Sequence, residues 1–230
     1  MVAFRVLAGL DDSSIDYQSC EVPVHSDLVP HIELLRNRAH DAGFELALAS
    51  GFRDFTRQLE IWNDKAEGRR PILDDAGQAV NPGALTEEQL LFAILRWSAL
   101  PGASRHHWGT DIDVYDAGPC RQGYQLQLTH AETQGAGIFA GFHTWLSSEL
   151  DKSGFFRPYQ RWQGGVAPEP WHLSYAPVAA GYQKSLCQEQ LEQLLKASDI
   201  ALKEVILARL DEVFQRFVWV DWEWYPRQYS

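Results

Sequence analysis

His106 and Asp113 stand seven positions apart, with Gly109 between them, in the run Ser104-Arg105-His106-His107-Trp108-Gly109-Thr110-Asp111-Ile112-Asp113. Far downstream, Glu169-Pro170-Trp171-His172 adds a third imidazole, with a carboxylate three residues ahead of it. Two imidazoles and one carboxylate are donors that suit a zinc ion in a catalytic site, where three protein ligands leave a fourth position open. His106, Asp113 and His172 are therefore the candidate ligands of one zinc ion. Glu169 beside them is the candidate general base, able to take a proton from water and pass it to a leaving amine. The chemistry implied is hydrolysis of an amide bond. No H-E-x-x-H helix occurs, which excludes the zinc peptidases built on that motif.

Arg53 follows Gly51 in a turn, where a multidentate cation could hold a carboxylate or a developing oxyanion. Gln58, about one helical turn on, is placed to hydrogen-bond a substrate backbone. His107 should point away from its neighbour. His25, His31 and His40 read as surface residues, and His130 and His143 lack a partner pattern.

These residues need elements to hold them. Leu28, Ile32, Leu35 and Ala39 recur at the period of one helix face, and Gly43 follows where a C-cap glycine sits. Phe44, Leu46 and Leu48 alternate as in a strand. Asp54 can cap a helix carrying Phe55, Leu59 and Trp62 on one face. Residues 66–86, with Gly68, Pro71, Asp74-Asp75, Gly77 and Asn81-Pro82-Gly83, read as a long loop. Thr86-Glu87-Glu88-Gln89 opens a helix that Pro101-Gly102 ends. Asp111 to Tyr115 alternates as a half-buried strand, Ile112 and Val114 inward and Asp113 toward a cleft. A helix over Phe139–Leu150 ends at Gly154. Leu202, Ile206, Leu210, Val213 and Phe217 fit a longer helix, and the Trp-rich tail reads as a final strand or a docking arm. The divisions are an irregular N-terminal segment at 1–25, a main domain at 26–182 and a C-terminal helical extension at 183–230 docked on it.

The chain has 230 residues, 45% apolar and 22% charged, enough for a hydrophobic core and unlike a disordered sequence. Net charge is −11 without a basic cluster, which argues against a nucleic-acid partner. No apolar run reaches 18 residues, so no membrane span is expected. Arg5, Asp11 and Asp12 interrupt a short apolar start that does not resemble a secretory signal. The chain reads as cytoplasmic, or as periplasmic or wall-associated if exported by another route. Cys20, Cys120 and Cys187 are scattered, which argues against a disulfide framework and a thiolate zinc site. The sequence carries no signal for an oligomeric state.

Ser104-x-His106-x-x-Gly109-x-x-x-Asp113 with Glu169-x-Trp171-His172, preceded by Ser50-Gly51-Phe52-Arg53 and Gln58, resembles the zinc D-alanyl-D-alanine carboxypeptidases of the VanY type and related phage endolysins. The resemblance covers about residues 26–182. It implies a small α+β domain, an antiparallel sheet flanked by helices. It implies zinc on His106, Asp113 and His172, Glu169 as base, Arg53 stabilising the transition state or binding substrate, and Ser104 and Gln58 lining the groove. The implied substrates are peptidoglycan peptides ending in D-amino acids, with removal of a C-terminal D-alanine as the reaction. Endopeptidase action inside the stem peptide, or a non-catalytic wall-binding module that keeps a zinc, are the alternatives. Asp111 departs from the family pattern: it shares a strand face with Asp113 and stands as a second candidate ligand or as a group that tunes the site.

Overall fold

Residues 2–74 and 77–229 are described by the computed structural model; Met1, Asp75, Ala76 and Ser230 lie outside the described residues, Asp75 and Ala76 within the expected loop. Four short strands build the sheet: β1 (Leu46–Ser50), β2 (Asp111–Asp116), β3 (Phe155–Phe156) and β4 (His172–Tyr175). Their order is β1-β2-β4-β3, and each neighbouring pair is antiparallel. Among the described residues, the helices of six or more residues are α1 (Val29–Asp41), α2 (Phe55–Ala66), α3 (Glu87–Leu95), α4 (Ala140–Ser153), α5 (Ala176–Gln183), α6 (Gln188–Ala197) and α7 (Lys203–Ala208). The fold is α+β, as the family resemblance implies.

Alternation in β2 decides which face is core. Ile112 and Val114 are fully buried and join Leu46, Leu48, Phe155 and Leu173 against α1 and α4. Helix α1 with its N-cap Leu28 supplies the stripe Leu28, Ile32, Leu35 and Ala39, and α4 supplies Phe142 and Leu146. Full burial of one such side chain contributes about 1.5–3 kcal/mol. Two helices thus cover one face of the sheet, and Asp111 and Asp113 emerge on the other.

A second apolar cluster flanks the sheet. Trp62 of α2 and Leu91 and Ile94 of α3 pack with Leu191, Leu195, Ile206, Leu210 and Val213. Residues beyond 183 therefore share a core with α2 and α3. Local signals start these helices: the Asp54 side chain accepts from Arg57 N at 2.6 Å, and Thr86 with Gln89 forms a capping box. A third cluster joins Trp108, Phe156, Ala179 and Tyr182 to Val220 and Tyr225 of the tail.

Two expectations are revised and one is resolved. The stretch 66–86 contains a small ladder, Ile72–Leu73 with Ala79–Val80, closing part of what reads as loop. The helix expected over 202–217 is broken into α7, a turn at Leu210–Val213 and a π-helical turn at Phe214–Val218. Of the two readings of the tail the arm holds: its described residues form no strand and carry a 3-10 turn at Trp222–Trp224. No helix among the described residues is long and apolar enough to cross a membrane.

Gly109 is the joint between the two halves of the first motif. It ends the 3-10 turn Arg105–Trp108 with φ +67, and a Cβ there would lie 2.5 Å from Ile15 Cδ1 and 2.8 Å from His25 N. Both conformation and space demand glycine. Gly109→Ala is expected to destabilise the fold by about 1–3 kcal/mol; chemical denaturation showing unchanged stability would contradict this.

Candidate active site

Strand pairing brings the two motifs together. In the β2–β4 register Asp113 lies opposite His172, and Asp111 opposite Ser174. The second motif is itself a turn: His172 N donates to Glu169 O at 3.1 Å, with Pro170 at the position whose fixed φ favours it. Arg157 Nε holds that turn by donating to Pro170 O at 2.7 Å. On the other side, the β1–β2 register shifts between Leu48 and Ser50. Such an irregularity bends a strand, and here it leads the chain through Ser50-Gly51-Phe52-Arg53 to the same place. Gly51 passes so close to Pro23 that a Cβ would lie 2.2 Å from its carbonyl oxygen.

His106, Asp113 and His172 converge, each buried, with one candidate ligand atom apiece within 4.8 Å of the others. His106 Nε2 lies 3.6 Å from Asp113 Oδ2, and His172 Nδ1 lies 3.3 Å from Asp113 Oδ1. Glu169 Oε2 is also 3.3 Å from His172 Nδ1. Backbone and side-chain acceptors orient both rings from behind. His106 Nδ1 donates to Gly51 O at 2.8 Å, which leaves Nε2 facing the cluster. His172 Nε2 donates to Asp111 Oδ1 at 2.9 Å, which turns Nδ1 toward it.

The charges call for a cation here. Burial pushes the His106 imidazole down to about 4, so it is neutral at pH 7 with a lone pair on Nε2. Burial opposes protonation of His172 too, but the carboxylates of Asp111, Asp113 and Glu169 outweigh it and raise its pKa well above the usual range. Burial would raise the Asp113 carboxyl; His106, His172 and Arg53 bring it down instead. Asp113 Oδ1 is buried and receives no hydrogen bond of good geometry. A carboxylate with one orphaned oxygen, set between two imidazole nitrogens, fits a divalent ion of the zinc type. This N,N,O set opens on a cavity, as a catalytic metal site does and a closed structural site does not.

Asp111 does not join this set. It shares the strand face of Asp113 but is fully buried behind His172. Arg105 Nε donates to its Oδ1 at 2.8 Å, and the hydroxyls of Thr110 and Ser174 donate to Oδ2 at 2.7 and 3.0 Å. Burial alone would raise the Asp111 carboxyl; the Arg105 guanidinium holds it well below the usual range. Of the two roles open to it, Asp111 therefore takes that of orienting His172. Arg105 in turn donates to Ser174 Oγ at 2.7 Å, Gln183 Oε1 at 3.0 Å and Tyr225 Oη at 3.2 Å. A chain of buried hydrogen bonds thus connects the tail residue Tyr225 to a candidate ligand. Sequence spacing gives no sign of it.

A cavity of about 300 Å³ lies over the cluster, lined among others by Arg53, Ser104, Glu169 and Trp171. The Ser104 hydroxyl is buried and has no protein partner. Arg53 is anchored through Nη1 to Gln58 Oε1 at 2.7 Å and Nη2 to Ser50 Oγ at 3.2 Å. Its backbone is pinned too: His107 Nδ1 donates to Arg53 O at 2.6 Å while its Nε2 accepts from Gly102 N. Gln58 does not line the groove. It is fully buried and reaches the site through Arg53 and, with Nε2 donating at 2.7 Å, through the carbonyl of Ala99, which lines the cavity. Its place three residues after Phe55 and four before Trp62, on the buried stripe of α2, is the signal that reveals this. Lys65, at the end of α2, also lines the cavity and is absent from the motifs.

The sequence model of the VanY family, D-alanyl-D-alanine carboxypeptidase, matches residues 21–178. The chain belongs to this family. An uncharacterized protein of Haemophilus influenzae is 31% identical over 121 residues, 52% of this chain and 92% of that protein. A D-alanyl-D-alanine carboxypeptidase of Enterococcus faecalis is 25% identical over 167 residues, 70% of this chain. The chain spans about half, 52%, of that enzyme's length. In fold it is similar to VanYB in complex with D-alanine-D-alanine (TM-score 0.52, 23% identity, covering 79% of this chain and 88% of that one). It is likewise similar to a vancomycin resistance D,D-pentapeptidase VanY in complex with Zn(II) (TM-score 0.51, 24% identity, 76% and 87%).

Asp111→Asn should lower zinc affinity about 10- to 100-fold, because the partner that orients His172 is weakened while all three ligands remain. Competition with a chromogenic chelator measures it, and wild-type affinity in the variant would refute the orienting role.

Proposed function

We propose that this protein is a zinc-dependent peptidase that removes the C-terminal D-alanine from peptidoglycan stem peptides. The observation that carries the reading is the buried His106–Asp113–His172 cluster, open to a cavity, with the Glu169 carboxylate beside it. Membership of the VanY family supports the substrate class. So do the D-alanyl-D-alanine carboxypeptidase from Enterococcus faecalis and the D-alanine-D-alanine bound to VanYB, similar to this chain in sequence and fold respectively.

His106 Nε2, Asp113 and His172 Nδ1 would hold the ion, which supplies Lewis acidity and makes water a nucleophile near neutral pH. Glu169 takes a proton from the attacking water and hands it to the departing amine nitrogen. Two of the Arg53 N–H groups are fixed by Gln58 and Ser50; the others are free for the oxyanion that forms at the scissile carbonyl. The unpartnered hydroxyl of Ser104 is available to a substrate backbone group. Trp171, buried at the cavity wall, excludes water and backs the turn that carries Glu169 and His172.

Glu169→Ala is expected to bind one zinc per chain while losing at least about 100-fold in turnover, the usual worth of a general base. Metal analysis and mass spectrometry of digested muropeptides read both quantities. Release of free alanine by the wild type supports the carboxypeptidase; cleavage inside the stem supports an endopeptidase; and full activity of Glu169→Ala would remove Glu169 from the role of base.

A further inference from the structure

Three cations line the cavity, Arg53, Lys65 and Arg105; Arg105 is spent on Asp111, Ser174, Gln183 and Tyr225, and the mechanism uses Arg53. Arg53 is tied to Gln58 and Ser50. Lys65 is half-buried at the C-terminal end of α2 and donates to a neutral acceptor, Ser98 Oγ, at 2.5 Å. The basic residues just beyond it are already paired: Arg69 and Arg70 both reach Asp64, and Arg69 also reaches Glu67. No carboxylate is paired with Lys65 among the described residues; Glu169 acts on it only through its charge. A desolvated ammonium without a counter-ion, facing a cavity, is a place for an anion.

The site's geometry says which anion. In a carboxypeptidase substrate, the terminal carboxylate is one residue beyond the scissile carbonyl, a step of about 3.8 Å along the chain. The group that recognises it must therefore line the same small cavity as the candidate metal ligands, and Lys65 and Ser98 both do. Leu73, Trp97 and Leu128 add an apolar wall to that cavity, suited to a small aliphatic side chain rather than to a second charge.

We propose that Lys65, braced by Ser98, binds the C-terminal carboxylate of the substrate and makes the site select a free chain end over the interior of a peptide. This rests on the carboxypeptidase reading and divides the labour between Lys65, for the carboxylate, and Arg53, for the oxyanion. Burial, with Arg70 and Arg53 nearby and Glu169 opposing them, brings the Lys65 ammonium down to about 8. A lysine with a lowered pKa is charged below that value and neutral above it, so the carboxylate should be held less tightly as pH rises through about 8.

The test compares a stem pentapeptide ending in D-alanine with its C-terminal amide, using the zinc-loaded wild type and Lys65→Met. The wild type should prefer the acid. In Lys65→Met, KM for the acid should rise about 10- to 100-fold, the range expected for a lost charged hydrogen bond. Its kcat should fall much less, KM for the amide should not move, and zinc content should equal that of the wild type. A measurement that needs no variant accompanies it: wild-type KM for the acid should climb above pH 8 relative to KM for the amide. Unchanged acid-over-amide preference in zinc-loaded Lys65→Met overturns the assignment of Lys65, as does a wild type that cleaves acid and amide equally well. A zinc-loaded wild type that cleaves neither overturns the carboxypeptidase reading itself.

Discussion

The pairing of β2 with β4 is the constraint on which the rest of the site depends. It sets Asp113 opposite His172 although 59 positions separate them, and it sets Asp111 opposite Ser174 behind them. Because side chains alternate along a strand, one residue of slip would send both aspartates into the apolar face between α1 and α4. The buried side chains of Ile112, Val114 and Leu173 oppose that slip. The hydrophobic core thus fixes the register, and the register places the polar groups.

Burying those polar groups is costly, and the chain answers with a second buried layer. Asp111 and Arg105 are an ion pair with side chains at most 1% exposed. Removing one member of such a pair costs about 3–5 kcal/mol, since the other is left charged in a dry interior. Arg105 avoids that by satisfying its donors on Asp111, Ser174, Gln183 and Tyr225. Its guanidinium also lies 4.5 Å from the Trp108 ring centroid. The C-terminal arm is in this way part of the support beneath a candidate ligand, although it lies beyond the segment that matches the family.

What could be read in the sequence follows from how local each role is. His106, Asp113, Glu169 and His172 sit in two short runs whose residue types state a donor set, and the structure brings these four together. Strands β1 and β2, α1, the capped starts of α2 and α3, and α4 were legible because each carries its own periodicity or cap; β3 and β4 were not. The roles of Arg105 and Tyr225 were not legible, because their contacts span 120 positions. Asp111 was read as a possible ligand since strand alternation gives its face but not its depth. Gln58 was misplaced in the groove because its polarity outweighed its position on the buried stripe of α2. The ladder inside 66–86 was hidden by glycine and proline flanking strands of two residues each.

Anomalous diffraction at the zinc edge, on crystals of the zinc-loaded protein, tests the metal centre most directly. The expected result is a single peak bonded to His106 Nε2, His172 Nδ1 and an oxygen of Asp113, at about 2.0–2.2 Å from each, with Asp111 still on Arg105 and His172 Nε2. A peak bonded to Asp111, or no peak at this cluster, would contradict it.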